Sequence, residues 1–258
     1  MLARVNDLDT HFTIWGEGEP VILLHGWGSS GESLCGIAKV LEDRFRVYAI
    51  DLPGFGWTPP PPAAWGTRDY ASHVEAFMDS TGIPAASVLG HSFGGRIALA
   101  LAAQSPRRVR SLILVASAGI RPRRGPGHSL RVAVAKLGKR LFSLPMWGRL
   151  GDRIVSAVSQ RIGSRDYRDA GRMRASLVRV VNEDLRGILS SIRAPTLVIW
   201  GDRDQEVPRP SMVIMVQGIR DARLEVLEGA GHFPFVDCPD RFARLVKDFL
   251  CQLCQGCT

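Results

Sequence analysis

The segment Ser87-Val88-Leu89-Gly90-His91-Ser92-Phe93-Gly94-Gly95-Arg96-Ile97-Ala98-Leu99 joins a short apolar run to a longer run with helical spacing, Phe93–Gln104. A strand must therefore pass into a helix within Gly90–Gly94. So tight a turn forces its middle residue, Ser92, into a strained backbone conformation with its hydroxyl outward, and flanking glycines give the room. A Gly-x-Ser-x-Gly string alone is a weak signal, expected by chance in about one chain in ten of this length. Its weight comes from its place between strand and helix. The helix that follows also points its N-terminus at the serine, which favours negative charge there.

Outward from this turn the same alternation continues in both directions. Phe12–Trp15, Val21–Leu24, Arg46–Ile50, Leu112–Val115, Thr196–Trp200 and Leu224–Leu227 read as further strands. Several are apolar on both faces, as strands of a parallel sheet covered by helices are. Helical stretches fall between them, near Leu34–Asp43, Tyr70–Ser80, Pro210–Gln217 and Pro239–Leu253. The expected fold class is α/β, a doubly wound, mostly parallel sheet. The rhythm breaks from Arg121 to Arg193, where apolar residues keep helical spacing (Leu130, Val134, Leu137, Leu141, then Ile154, Val158, Ile162, then Leu177, Val180, Val181) without a convincing strand. The predicted organisation is a core domain of residues 1–120 and 194–258 with a helical cap, residues 121–193, inserted between two strands. Trp57-Thr58-Pro59-Pro60-Pro61-Pro62-Ala63 reads as a stiff extended loop.

Composition narrows the class of protein. At 258 residues with 45% apolar and 22% charged residues the chain can bury a full core without disulfide or metal staples. Disordered, collagen-like and disulfide-scaffold readings are excluded. No apolar run approaches the ~18 residues of a membrane span. The start, Met1-Leu2-Ala3-Arg4-Val5-Asn6-Asp7, lacks a basic head followed by an apolar stretch, so no secretory signal is expected. Five cysteines suit free thiols in a reducing cytoplasm, the expected location. The net charge of +8 is unevenly placed. Arg121–Arg193 holds 17 Lys/Arg against 5 Asp/Glu, whereas the rest holds 16 against 20. A basic insert thus sits on a mildly acidic body, which bears on partners rather than on fold.

A serine hydroxyl needs a base to become a nucleophile. The candidate is His232 in Gly229-Ala230-Gly231-His232-Phe233-Pro234, just after the strand Leu224–Leu227. His11, His73 and His128 read as surface or packing residues, and His25 and His91 as structural. A base of this kind needs a carboxylate to fix its tautomer. Asp202, Asp204 and Glu206 compete in Gly201-Asp202-Arg203-Asp204-Gln205-Glu206-Val207-Pro208. Asp204 is preferred because it is placed to reach back to a histidine on the next strand's loop, whereas Asp202 suits a turn cap. The order Ser…Asp…His is one of the known arrangements. For the negative charge of a tetrahedral intermediate, the amides of Trp27 and Phe93 are the candidate donors, worth roughly 3–4 kcal/mol each. His25, Gly26, Trp27, Phe93 and Phe233 are the candidate pocket residues.

These motifs, His25-Gly26-Trp27-Gly28, Asp51-Leu52-Pro53-Gly54-Phe55-Gly56, Gly90–Gly94, Gly201–Asp204 and Gly231-His232, run nearly end to end, and with them the chain resembles the α/β-hydrolase fold superfamily. The similarity is to its small, capped, esterase-type members, including the pimeloyl-carrier-protein methyl esterase group. The resemblance implies Ser92 as nucleophile, Asp204 as acid, His232 as base and an oxyanion hole from Trp27 and Phe93. It implies a loop-shaping role for the Asp51 segment. Relatives that carry the acid after the preceding strand are not matched, since that position reads Ser117-Ala118-Gly119, and Ser92 excludes the branch with an aspartate nucleophile.

The function expected on this reading is hydrolysis of small carboxylic esters through an acyl-enzyme, without a cofactor. C–C bond hydrolysis, lactone opening, acyl transfer and perhydrolysis are alternatives on the same residues. A non-catalytic ligand receptor is the alternative of another class. The basic insert is first of all a solvated surface. The sharper reading is that it receives an acidic carrier or anionic substrate. Nucleic acid is not expected, for lack of an aromatic-interleaved recognition motif. Cys251-x-x-Cys254-x-x-Cys257 lacks a fourth ligand at matching distance, and no metal is assigned.

Overall fold

In a computed structural model, residues 1–121 and 170–253 are described. Contacts divide the chain into two compact units, one of residues 1–121 with residues from Ala175 onward, the other of residues 122–174. The first is built on one sheet of eight strands: β1 (Leu2–Val5), β2 (Leu8–Trp15), β3 (Glu19–Leu24), β4 (Phe45–Ile50), β5 (Ala86–His91), β6 (Val109–Val115), β7 (Thr196–Gly201) and β8 (Ala222–Leu227). Their order across the sheet is β1-β2-β4-β3-β5-β6-β7-β8. From β4 to β8 every neighbouring pair is parallel, and β1 and β2 add an antiparallel edge.

The central strands show why they read as unbroken apolar runs. Val21–Leu24 of β3, Val88–Leu89 of β5 and Leu112–Val115 of β6 are all essentially inaccessible to solvent, because helices cover both faces of a parallel sheet. The α-helices among the described residues are α1 (Cys35–Leu41), α2 (Thr67–Ser80), α3 (Phe93–Gln104), α4 (Arg174–Asn182), α5 (Arg209–Gly218), the short α6 (Pro234–Asp237) and α7 (Pro239–Leu253). On α7 the buried residues Phe242, Val246, Phe249 and Leu250 make one stripe against the core. α3 is buried nearly all round, as its even run of alanine and leucine demands. No helix among the described residues is long and apolar enough to cross a membrane.

Two differences from the sequence reading stand out. The edge strand β1 pairs with β2 through a turn at Asn6, whose φ is 52°. Its residues, of which only Val5 is buried, give neither an apolar run nor a clean alternation, so the sequence carries no strand signal there. The segment after Ala175 also belongs to the first unit, not to an insertion ending at residue 193. The buried Arg96 of α3 donates hydrogen bonds to the carbonyls of Val180 (2.7 Å) and Glu183 (3.1 Å). The Leu185 amide donates to Gly119 O, and the Thr67 amide to the Glu183 carboxylate. The periodicity of Leu177, Val180 and Val181 describes a helix with one apolar face, and that pattern is the same whether the face meets a cap or a core. The cap positions Leu130 to Ile162 lie outside the described residues, as do Cys254 and Cys257.

Parallel topology fixes where chemistry can gather. All six parallel strands end on the same edge, and the loops that follow β3, β4, β5, β7 and β8 meet there. Each carries one of the motifs picked out in the sequence.

Candidate active site

The turn after β5 is the rigid centre of the site. Ser92 has φ 51° and ψ −107°, a backbone conformation that a residue with a side chain adopts only when its surroundings compel it. Here they do. The Ser92 amide donates to Val115 O of β6 at 2.9 Å, and its carbonyl accepts from Arg96 and Ala118. Gly94 shows what closes the turn: a Cβ there would overlap the backbone carbonyls of Leu24 and His25, and one on Gly90 would overlap Gly94. Both glycines are therefore required by close backbone approach.

His232 reaches this serine from the loop after β8. Its Nε2 accepts the Ser92 hydroxyl at 3.0 Å, and its Nδ1–H donates to Asp204 Oδ2, also at 3.0 Å. The tautomer follows from these partners, since a carboxylate can only accept. The His232 side chain is 9% exposed and that of Asp204 fully buried. The other Asp204 oxygen accepts the amides of Glu206 (2.8 Å) and Val207 (3.0 Å). Burial alone would raise the Asp204 pKa, but the hydrogen bond from His232 and those two amides outweigh it, and the pKa is lowered. The competing Asp202 instead accepts the Gly229 amide and ties the β7 and β8 loops together. Structure thus brings together Ser92, His232 and Asp204.

Two further imidazoles brace the array. His91 Nε2–H donates to the His232 carbonyl at 2.9 Å, and its ring lies against those of His232 and Phe233. His25 is fully buried; its Nδ1–H donates to Gly26 O (2.7 Å) and its Nε2 accepts the Leu52 amide (3.0 Å). Burial lowers the pKa of each to about 4, so both are neutral structural links. His25 therefore stands behind the pocket, not on its wall as expected, because both ring nitrogens are spent inside the protein. Asp51 shapes its loop by accepting the amides of Gly31 and Trp57.

Trp27 and Phe93 sit side by side, ring centroids 5.1 Å apart, and their amides have no hydrogen-bond partner among the described residues. Phe93 is the first residue of α3, where orphan amides are the rule. Gly26 is buried beside the His91 ring and Ser92. Phe233 is about half exposed. Of two residues the sequence reading passed over, Phe55 makes edge-on contacts with both Trp27 and Phe93, and the fully buried Tyr70 packs edge-on against Phe93 from inside the core. The only available signal was Phe55 inside the Asp51–Gly56 motif; Tyr70 looked like any helix core residue. Glu206 was weighed only as an alternative acid, yet its Oε2 lies 3.4 Å from His232 Nε2.

Residues 19–239 match a family model described as the alpha/beta hydrolase fold. The chain belongs to this family. A pimeloyl-[acyl-carrier protein] methyl ester esterase of Aeromonas hydrophila is 30% identical over 254 residues, covering 92% of this chain and 97% of the relative. A 2-hydroxymuconate semialdehyde hydrolase of Pseudomonas putida is 30% identical over 256 residues, covering 92% and 89%. Among solved structures, a bacterial membrane phospholipase A superposes with a TM-score of 0.77 at 27% identity, over 98% of this chain and 86% of that one. A meta-cleavage product hydrolase from Pseudomonas fluorescens IP01 superposes with a TM-score of 0.73 at 25% identity, over 97% of each. The resemblance read from the motifs thus extends over the whole fold.

Proposed function

We propose that this α/β hydrolase is a serine carboxylesterase acting through an acyl-enzyme. One observation carries the reading: the unbroken hydrogen-bonded chain from the strained Ser92 hydroxyl through His232 to the buried Asp204 carboxylate. As Ser92 Oγ attacks the ester carbonyl, its proton passes to His232 Nε2, and Asp204 stabilises the imidazolium that results. The carbonyl oxygen becomes an oxyanion that accepts from the amides of Trp27 and Phe93. When the C–O bond to the alcohol breaks, Nε2 returns the proton to the leaving oxygen. A water then attacks the acyl carbon with its proton taken by the same nitrogen, the acid departs and Ser92 regains its proton. The aromatic cluster of Trp27, Phe55 and Phe93 suits an apolar acyl group.

The substrate class is narrowed by similarity and charge together. The pimeloyl-[acyl-carrier protein] methyl ester esterase relative is named for a methyl ester on an acyl-carrier protein, and the excess of 12 positive charges over Arg121–Arg193 supports a carrier-borne, anionic acyl substrate here. The 2-hydroxymuconate semialdehyde hydrolase relative favours, as a second reading, cleavage of a C–C bond next to a carbonyl on the same residues. The test is steady-state hydrolysis of p-nitrophenyl esters of increasing chain length, a carrier-bound methyl ester and a vinylogous meta-cleavage product by wild type and Ser92→Ala. Ester turnover by wild type that falls at least 10³-fold in Ser92→Ala supports the proposal. Equal turnover by both proteins contradicts it, and turnover of the meta-cleavage product alone selects the second reading.

A further inference from the structure

His232 Nε2 faces two groups at once. Ser92 Oγ is 3.0 Å away, and the Glu206 carboxylate stands 3.4 Å away on the solvent side, its side chain 65% exposed. Glu206 is held there by the turn that also fixes the acid, because its amide donates to Asp204 Oδ1. In the neutral tautomer set by Asp204, Nε2 offers only a lone pair, and a carboxylate oxygen offers the same. Two acceptors at this separation have no proton to share. While Ser92 is free, its hydroxyl serves Nε2. Once Ser92 is acylated that donor is gone, and two acceptors are left facing one small volume beside the acyl carbon.

We propose that Glu206 is a further catalytic residue that holds the hydrolytic water and so favours hydrolysis over transfer to an alcohol; this rests on the acyl-enzyme reading above. A water fits the two acceptors because it carries two O–H groups, one for Nε2 and one for Glu206, leaving a lone pair for the acyl carbon. Bonds of ordinary length need the acceptors roughly 4.5 Å apart, a shift of about 1 Å that the exposed Glu206 side chain makes without disturbing the turn. The bookkeeping is simple. The water oxygen bonds to the acyl carbon, one proton goes to Nε2, and the second stays on oxygen, hydrogen-bonded to Glu206. Breaking the C–Oγ bond returns the Nε2 proton to Ser92, and the released acid gives up its remaining proton to solvent. An alcohol has one O–H for Nε2 and presents its carbon chain to the carboxylate, so it competes poorly.

The experiment is the partition of an acetyl-enzyme, formed from p-nitrophenyl acetate, between water and added methanol, read as the ratio of methyl acetate to acetate. Glu206→Leu is expected to raise that ratio at least fivefold, and Glu206→Gln, which keeps an acceptor oxygen, to lie between it and wild type. Both products come from one acetyl-enzyme, so their ratio does not depend on how fast Ser92 is acylated, and a slower first turnover alone cannot mimic the effect. A ratio unchanged in Glu206→Leu overturns the proposal. The underlying reading fails separately, if Ser92→Ala still turns over the ester at the wild-type rate.

Discussion

Lowering the pH from 7 to 5 should weaken this fold sharply, because three imidazoles are locked inside it uncharged. His25, His73 and His91 are 0%, 2% and 3% exposed, and burial lowers each pKa from 6.5 to about 4. His73 makes the cleanest case. Its Nε2 meets Thr10 Oγ1 at 3.0 Å, its Nδ1 has no partner among the described residues, and it makes no hydrogen bond to the Ser92, His232 or Asp204 side chains. The sign follows from proton uptake. Between pH 6.5 and about 4 the unfolded chain binds a proton at each histidine that the folded chain refuses, so stability is full above 6.5 and falls as pH falls through that window. From pH 7 to 5 each group costs about 2 kcal/mol, and the three together up to about 6, against a total stability of roughly 5–15 kcal/mol. Asp204 does not enter this window. Its lowered pKa gives stability that is present above 3.8 and lost only as pH falls through the folded value. Urea unfolding followed by tryptophan fluorescence at pH 7 and 5 measures the difference, and His73→Leu should shrink it by about 2 kcal/mol. Wild-type stability equal at the two pH values within about 1 kcal/mol would refute the reasoning.

Other parts of the account make their own demands. In Asp204→Asn the one remaining oxygen is held by the Glu206 and Val207 amides, so an NH2 donor faces Nδ1 and selects the wrong tautomer, and kcat on a p-nitrophenyl ester should fall about 10³–10⁴-fold with KM nearly unchanged. Gly94→Ala would drive a Cβ into the carbonyls of Leu24 and His25; the protein should lose roughly 2 kcal/mol or more in urea unfolding, and turnover in the proposed ester assay should fall with it. Arg96→Met leaves the carbonyls of Val180 and Glu183 without their donor, at about 2–4 kcal/mol, and hydrogen exchange should rise first in residues 176–185.

Most of the sheet was legible because parallel strands covered on both faces leave unmistakable apolar runs, as at Val21–Leu24 and Leu112–Val115. The site was legible for a related reason. A nucleophile turn needs glycines where backbones nearly touch, and Gly90 and Gly94 mark it in one dimension as in three. Asp204 could be preferred over Asp202 from loop position alone, and the turn-capping hydrogen bond of Asp202 gives the physical reason. What stayed hidden depends on contacts between distant segments. Nothing local marks His25 as a brace between two loops, Tyr70 as the buried support of Phe93, or residues 175–193 as part of the core. Glu206 was hidden differently: its meaning comes from which histidine nitrogen it faces, a fact that only the folded loop determines.

The central claim is that Ser92 is the one hydroxyl made nucleophilic by its surroundings. Incubation with a fluorophosphonate, followed by proteolysis and mass spectrometry, asks this directly, since only an activated serine attacks the phosphorus and displaces fluoride. The account predicts one adduct per chain, on the peptide that carries Ser92, and none in Ser92→Ala or, on the same timescale, in His232→Ala. A wild-type protein that takes up no label, or takes it up at another residue with Ser92 unmodified, would contradict it.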